Sequence, residues 1–228
     1  MTTRLLPAPL ALAFTFTLLL TGSPHAAASP AVAAAGLAAP ATTPALAVGD
    51  LVFIRVTARP FLAVAEATGS WTNHVGVVVD AGDGRPGREP LIAESTFPLA
   101  RITPWSQFVA RSEAGRVEVY RLATPLTPQQ ARRVRAAADA RLGSFYDTGF
   151  NLHSRRQFCS RYVREVLAEA TGTQLGEVET FAHLLARRPH TRLGFWRACY
   201  LGAIPWQRET VTPASVLASP VLRRVEGG

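Results

Sequence analysis

Apolar residues along this chain recur first with a strand period and then with a helix period. Residues 51–54, Leu-Val-Phe-Ile, form an apolar run behind the turn signal Gly49-Asp50. Residues 75–79 are β-branched and nearly continuous, which predicts a central, buried strand. Residues 91–94 follow the turn-rich stretch 81–90, so this pair predicts a hairpin. A fourth strand is expected over 117–122, where Val117, Val119 and Arg121 alternate with Glu118, Tyr120 and Leu122.

Helical spacing takes over further on. Thr127 can cap, Pro128 suits a first turn, and Gln130 stands at the capping-box position. Ala131, Val134, Ala138 and Leu142 then share one face, and Gly143 is expected to end the helix. A second helix is expected over 160–170, with Val163, Val166, Leu167 and Ala170 inward and Gly172 as its stop. A third is expected over 177–186, with Val178, Phe181 and Leu185 inward and Pro189 beyond its end. Short helices are expected after Thr103-Pro104 and after Thr212-Pro213. Strands first and helices after predict an α+β domain, with helices packed on an antiparallel sheet.

Composition narrows the class of protein. With 228 residues, 48% apolar and 18% charged, the chain has room for one domain with a full core, or two small ones. The net charge is +8, and all 24 basic residues are arginine, which together with the richness in alanine reads as a genomic bias. The arginines are scattered, in pairs at most. The absence of a basic run interleaved with stacking aromatics argues against a nucleic-acid partner. Peripheral contact with an anionic cell envelope is compatible with this charge.

The N-terminus changes the picture of location. Arg4 precedes a largely apolar stretch over 10–20, too short to span a bilayer comfortably, and Ala26-Ala27-Ala28 offers a small-residue cleavage site. A signal peptide is therefore expected over 1–28 and export after its cleavage; the alternative is an uncleaved N-terminal membrane anchor. Leu19-Leu20-Thr21-Gly22-Ser23 resembles a lipoprotein box with serine in place of the lipidated cysteine. Residues 29–47, rich in Ala, Pro and Thr, read as a flexible lead-in, and the folded domain is expected over 48–228.

Candidate chemistry centres on one of two cysteines. Cys159 opens the second helix, four residues before the inward Val163. A helix N-terminus carries partial positive charge and free N–H groups, which favour a thiolate and can hold an oxyanion. The alternative is a buried structural cysteine. Cys199 lies in an aromatic stretch, Phe195 to Tyr200, and reads as packing; a Cys159–Cys199 disulfide would disable the chemistry. The two cysteines lack metal-ligand spacing, and no cofactor or metal motif is present in the sequence.

A thiolate needs a base, and the base an orienter. His74 stands at the mouth of the expected central strand, and Glu94 lies in the strand expected to pair with it. A carboxylate within the apolar run 91–93 is costly without a partner, and an imidazole N–H would supply one. Each also has a bland reading: a satisfied core histidine, and a glutamate facing solvent. Tyr146 could donate to an oxyanion, or could be a packed aromatic. His153 is an alternative base; His25, His183 and His190 lack acidic or cysteine neighbours.

Taken in order, Gly49-Asp50-Leu51-Val52-Phe53, Asn73-His74-Val75-Gly76, Ala93-Glu94-Ser95, Tyr146-Asp147-Thr148-Gly149-Phe150 and Gln157-Phe158-Cys159-Ser160 strongly resemble the YiiX/YebB-type permuted papain-like family, its YebB-like branch most. Gly176 to Phe181, Ile204-Pro205-Trp206 and Thr210 to Ser215 extend the match over nearly all of the chain after Val48. The resemblance implies a circularly permuted papain/NlpC-like α+β fold in which the histidine precedes the cysteine. It implies Cys159 as nucleophile, His74 as general base, Glu94 as orienting residue and Tyr146 near the active site. It implies an amidase- or peptidase-like cysteine hydrolase acting on a small-molecule, peptide or lipid-amide substrate. Competing readings on the same fold are a lipid acyltransferase or esterase, and a non-catalytic lipid- or peptide-binding module.

Overall fold

The computed structural model describes residues 45–188, 191 and 193–225. These belong to the unit Ala41–Gly228. The expected signal peptide, most of the lead-in, His25 and His190 lie outside the described residues. In chain order the elements are β1 (Leu51–Val56), α1 (Arg59–Thr68), β2 (His74–Asp80), β3 (Leu91–Ser95), β4 (Ala100–Pro104), α2 (Trp105–Val109), β5 (Ser112–Leu122) and α3 (Pro128–Asp139). They continue with α4 (Cys159–Thr171), β6 (Glu179–Thr180), α5 (Phe181–Ala186), α6 (Leu193–Cys199), β7 (Glu209–Thr210), α7 (Pro213–Leu217) and β8 (Leu222–Val225).

Six strands form one sheet in the order β4-β3-β2-β1-β5-β8, antiparallel throughout, while β6 pairs with β7. β1 sits inside this sheet because both of its faces are apolar. Leu51 and Phe53 join Val75, Val77, Val79 and Ala93 in a core roofed by Val134 and Ala138 of α3 and by Val163, Val166 and Leu167 of α4. Val52 and Ile54 point the other way, against Val78, Ile92, Phe108 and Val119. A sheet covered on both faces needs continuous apolar runs, as residues 51–54 and 75–79 supply. Gly76 makes the second face possible: a Cβ there would lie 2.5 Å from Ile92 Cγ2 and 2.9 Å from Phe108. A third apolar cluster joins α1, α5 and α6 through Val64, Phe181, Leu184 and Trp196.

The Gly49-Asp50 pair is an anchor. Gly49 has φ +93°, a conformation open to glycine. Asp50 is fully buried and accepts from Arg121 Nε (2.6 Å) and Nη2 (2.7 Å) and from the Ala47 amide (2.8 Å). This pins the entrance of β1 to β5.

Several elements differ from the sequence pattern. α3 ends at Asp139, because Gly143 belongs to a later turn whose amide donates to Ala100 O, and Leu142 is partly exposed. Residues 177–178 are not helical: Glu179–Thr180 pairs with β7, and Thr180 then caps α5 by accepting from the His183 amide. α1 is a helix beyond those expected, with Pro60 in its first turn and Gly69 at its C-cap marking its two ends. β4 and β8 are further strands beyond the four expected. Cys199 is exposed at the end of α6, so it is not a packing residue; Trp196 fills the interior instead.

Replacing Arg121 by alanine strands the Asp50 carboxylate without its ion-pair partner. Loss of a buried partner of this kind costs about 3 kcal/mol. The expected outcome is a clear fall in the urea midpoint of Arg121→Ala with an unchanged slope.

Candidate active site

His74 opens β2 opposite Ile54, and the residues before it are tied to β1. Thr72 Oγ1 donates to Ile54 O (2.8 Å). Asn73 accepts from the Val56 amide (2.8 Å) and donates to Val56 O (2.9 Å). The imidazole thus leaves a rigid strand end. It is fully buried between Phe61 of α1, edge-on at 5.5 Å, and Phe108 of α2 at 5.7 Å.

Its Nε2 lies 2.6 Å from Glu94 Oε2, the two side chains both fully buried. Glu94 does not face solvent. Its Oε1 accepts from Thr103 Oγ1 (2.6 Å), and Arg111 Nη2 donates to Oε1 at 2.7 Å and Oε2 at 2.8 Å. The Arg111 guanidinium also lies 4.9 Å from the centre of the Phe108 ring. Arg111 and Thr103 are site residues that the sequence pattern does not reveal. Arg111 sits between α2 and β5 in no motif, and Thr103 reads only as a helix start.

Cys159 is the first residue of α4, a 13-residue helix. Phe158 at the N-cap has extended backbone and no side-chain cap, and the first intrahelical bond runs from the Tyr162 amide to Phe158 O. The amides of Cys159, Ser160 and Arg161 precede that bond and have no intrahelical partner. Tyr146 is placed by a short ribbon. The Gln157 amide donates to Phe145 O (2.9 Å) and the Asp147 amide to Gln157 O (2.7 Å). That ribbon holds the tyrosine beside the residues that lead into Cys159.

Electrostatics join the four residues. Burial alone would depress the His74 imidazolium, but hydrogen bonding and charge from Cys159 and Glu94 outweigh it and lift the ring to about 9. Burial would raise Glu94, but His74 and Arg111 hold it down at about 2. Burial pushes the Tyr146 hydroxyl well above its ordinary value, and the charges of Cys159 and Asp147 add to this, so it stays a donor. With Nε2 engaged by Glu94, the ring nitrogen left free is Nδ1, which is buried and has no hydrogen-bond partner.

The arrangement can hold a thiolate beside an imidazolium, with a carboxylate fixing the ring and amide and phenol donors nearby. Beside it runs a narrow apolar cavity of about 20 Å³ lined by Phe61, Val64, Phe150, Phe158, Leu184 and Trp196. A larger groove of about 730 Å³, lined by Gln174, Arg187 and Ser215 among others, includes none of the four residues. His153 does not join the site: it is exposed and pairs with Glu209 at 2.7 Å. Cys199 remains a free thiol, as does Cys159.

A helix-borne thiol facing a sheet-borne His–Glu pair, with the histidine earlier in the chain, defines a permuted papain-like protein. The chain belongs to the family described as permuted papain-like amidase enzyme, YaeF/YiiX, C92, which it matches over residues 45–226. It is 27% identical over 177 residues to the uncharacterized protein YiiX of Escherichia coli (strain K12), covering 78% of this chain and 84% of that one. The crystal structure of metalloprotein YiiX from Escherichia coli O157:H7 is similar at a TM-score of 0.68 and 26% identity, covering 79% of this chain and 97% of that one.

The raised His74 and lowered Glu94 fix the pH dependence of stability. The His74 contribution is complete below its unfolded value of 6.5 and is lost as pH rises through about 9. The Glu94 contribution is complete above 4.5 and is lost as pH falls through about 2. Imidazole resonances should show His74 protonated at pH 7 and titrating near 9. A His74 titration at or below 6.5 would contradict this geometry.

Proposed function

We propose that this protein is an amide-cleaving cysteine hydrolase with Cys159 as nucleophile, His74 as base, Glu94 as the residue that orients His74, and Tyr146 as an oxyanion donor. One observation carries the reading: the fully buried His74–Glu94 pair, in which His74 Nε2 is taken by Glu94 and Nδ1 has no hydrogen-bond partner, with the Cys159 thiol at the start of α4 close enough to raise the imidazole.

In the proposed cycle the Cys159 proton already rests on His74 Nδ1 as an imidazolium, and the thiolate attacks the substrate carbonyl carbon. The carbonyl oxygen gains the negative charge, which the Cys159 amide and the Tyr146 hydroxyl stabilise. As the carbon–nitrogen bond breaks, the imidazolium gives its proton to the leaving amine. Water, deprotonated by His74, then attacks the thioester, releasing the acid and restoring the thiolate beside the imidazolium. Glu94 stays ionised throughout and holds the ring in one tautomer, with Arg111 and Thr103 fixing the carboxylate.

The YiiX neighbour is described as a metalloprotein. Here the Glu94 oxygens are already engaged by His74, Arg111 and Thr103, and no group of three or more His, Cys, Asp or Glu side chains among the described residues could hold a metal ion. The donor set does not fit a resident metal, and no step is routed through one.

The substrate reading follows two features. The signal-like N-terminus supports export and a cell-envelope peptide or acyl amide as substrate. The side chains beside Cys159 are apolar, which supports a second reading, lipid ester cleavage or acyl transfer by the same thioester, although the cavity of about 20 Å³ must widen to take an acyl chain.

Cys159→Ala should abolish release of amine from an acyl-amide substrate, and a variant retaining the wild-type rate would overturn the proposal. Tyr146→Phe should lower kcat by about 10²–10³ if its hydroxyl holds the oxyanion, while alkylation of Cys159 by iodoacetamide persists. Supplying an acceptor amine separates hydrolysis from transfer, since a new amide product forms only in the second case.

A further inference from the structure

Phe97 and Phe145 are 68% and 65% exposed, although each adjoins a segment of the site. They are brought together by an irregular ribbon. Leu99 pairs antiparallel with Phe145, and the Tyr146 amide donates to Pro98 O at 2.9 Å. Alternation along this ribbon sends Tyr146 inward and leaves Phe145 outward. Leu142, also partly exposed, stands just before it.

A third segment lies against the other side of Phe145 and Tyr146, through Gln157. It carries Arg155 and Arg156, both exposed and without a carboxylate partner among the described residues. Arg101, on the first segment, is half exposed but belongs to the site instead, its Nε lying 3.8 Å from Glu94 Oε1. Asp147, the one carboxylate on segments 97–101, 142–148 and 155–157, is buried and accepts from the amides of Gly149 and Asn151. The outward face of this ribbon is therefore apolar at its tips and cationic at its flank, and carries no exposed carboxylate of its own; Glu165 of α4, which accepts from Gln157 Nε2, is paired with Arg141 and Arg161.

We propose that this face is an interfacial docking surface for an anionic phospholipid bilayer. Phe97 and Phe145 enter the acyl boundary, and Arg155 and Arg156 meet lipid phosphates. Exposed aromatics beside unpaired cations are the pattern that binds a membrane surface, by apolar insertion and attraction to anionic headgroups together. The chain's net charge of +8 adds to the attraction. Because Tyr146 is the inward neighbour of Phe145, docking holds the Cys159 site behind the ribbon that faces the bilayer. The surface itself rests only on these exposed residues; what the docked protein cuts rests on the hydrolase reading.

The test uses the full chain carrying Phe145→Trp, with the parent chain and its four native tryptophans as background. Emission is measured with phosphatidylglycerol vesicles bearing brominated acyl chains, and with phosphatidylcholine vesicles. The added emission of Phe145→Trp should shift to the blue and be quenched by the brominated anionic vesicles. A control tryptophan at exposed Gln129, roughly 15 Å away up α3, should not be quenched. Arg155→Gln and Arg156→Gln should each weaken anionic-vesicle binding about fivefold. Phe97→Ser with Phe145→Ser should abolish the insertion measured at Leu142→Trp, while the rate of Cys159 alkylation is unchanged.

No quenching at position 145 overturns the proposal. So does quenching that is equal on neutral vesicles and indifferent to the arginines. A sedimenting dimer dissolved by the double serine variant, without vesicle binding, assigns the face to a second copy instead. None of these readouts needs turnover, so failure of the hydrolase reading would leave the vesicle result standing.

Discussion

The buried carboxylate of Glu94 is the constraint around which the rest of the structure is organised. An ionised carboxylate with no solvent exposure is stable only when its lone pairs and charge are answered at once. Three side chains from three places answer it: His74 at the start of β2, Thr103 in β4, and Arg111 between α2 and β5. Satisfying Glu94 therefore fixes three segments relative to β3. It also fixes the ring of His74, because Nε2 meets the carboxylate and Nδ1 is left without a hydrogen-bond partner. The same contact raises the imidazole and lowers the carboxylate. Structural and chemical demands are met by one cluster.

The second half of the site is assembled by backbone. Gln157 bonds to Phe145 and Asp147 through its main chain, which couples the tyrosine segment to the residues entering α4. α4 is held in turn by Ser160 Oγ donating to Val211 O (2.8 Å) and by Arg161 and Gln157 bonding Glu165 (2.7 and 2.8 Å). The thiol is thus placed by a helix start that is braced on several sides, while His74 is placed by a strand start braced against β1. Rigid supports on both sides hold the thiol and the imidazole in fixed positions.

Much of this was legible along the chain because it rests on local rules. The runs 51–54 and 75–79 announce strands covered on both faces, and Thr127, Pro128 and Gln130 announce the capping box seen at α3. His74 and Cys159 stand at element starts and Glu94 in an apolar strand, where polar side chains need a reason; Tyr146 lies outside the named elements and is marked by the family resemblance. Arg111 and Thr103 left no such trace. Their role comes from pairing partners 17 and 9 residues from Glu94, and neither residue breaks the pattern of its own segment. The early end of α3 and the strand at Glu179 were hidden for the same reason. The apolar spacing of 131–142 continues past the helix, and β6 exists only through β7 far along the chain. Cys199 misled because aromatic neighbours in sequence do not imply that the cysteine itself points inward.

Chain order in this family separates what catalysis requires from what folding requires. Papain places its cysteine before its histidine; here the strand carrying His74 is made first and the helix carrying Cys159 follows. The site tolerates the exchange because its two halves meet at a junction between layers, a sheet end and a helix start, and neither half draws its geometry from the loop that links them. β1, β2 and β3 can pair, and Glu94 can be satisfied by His74, Thr103 and Arg111, using residues before 112 alone. α4 packs onto a sheet in which His74 and Glu94 are bonded to each other, and a cut elsewhere in the same architecture would leave that junction unchanged.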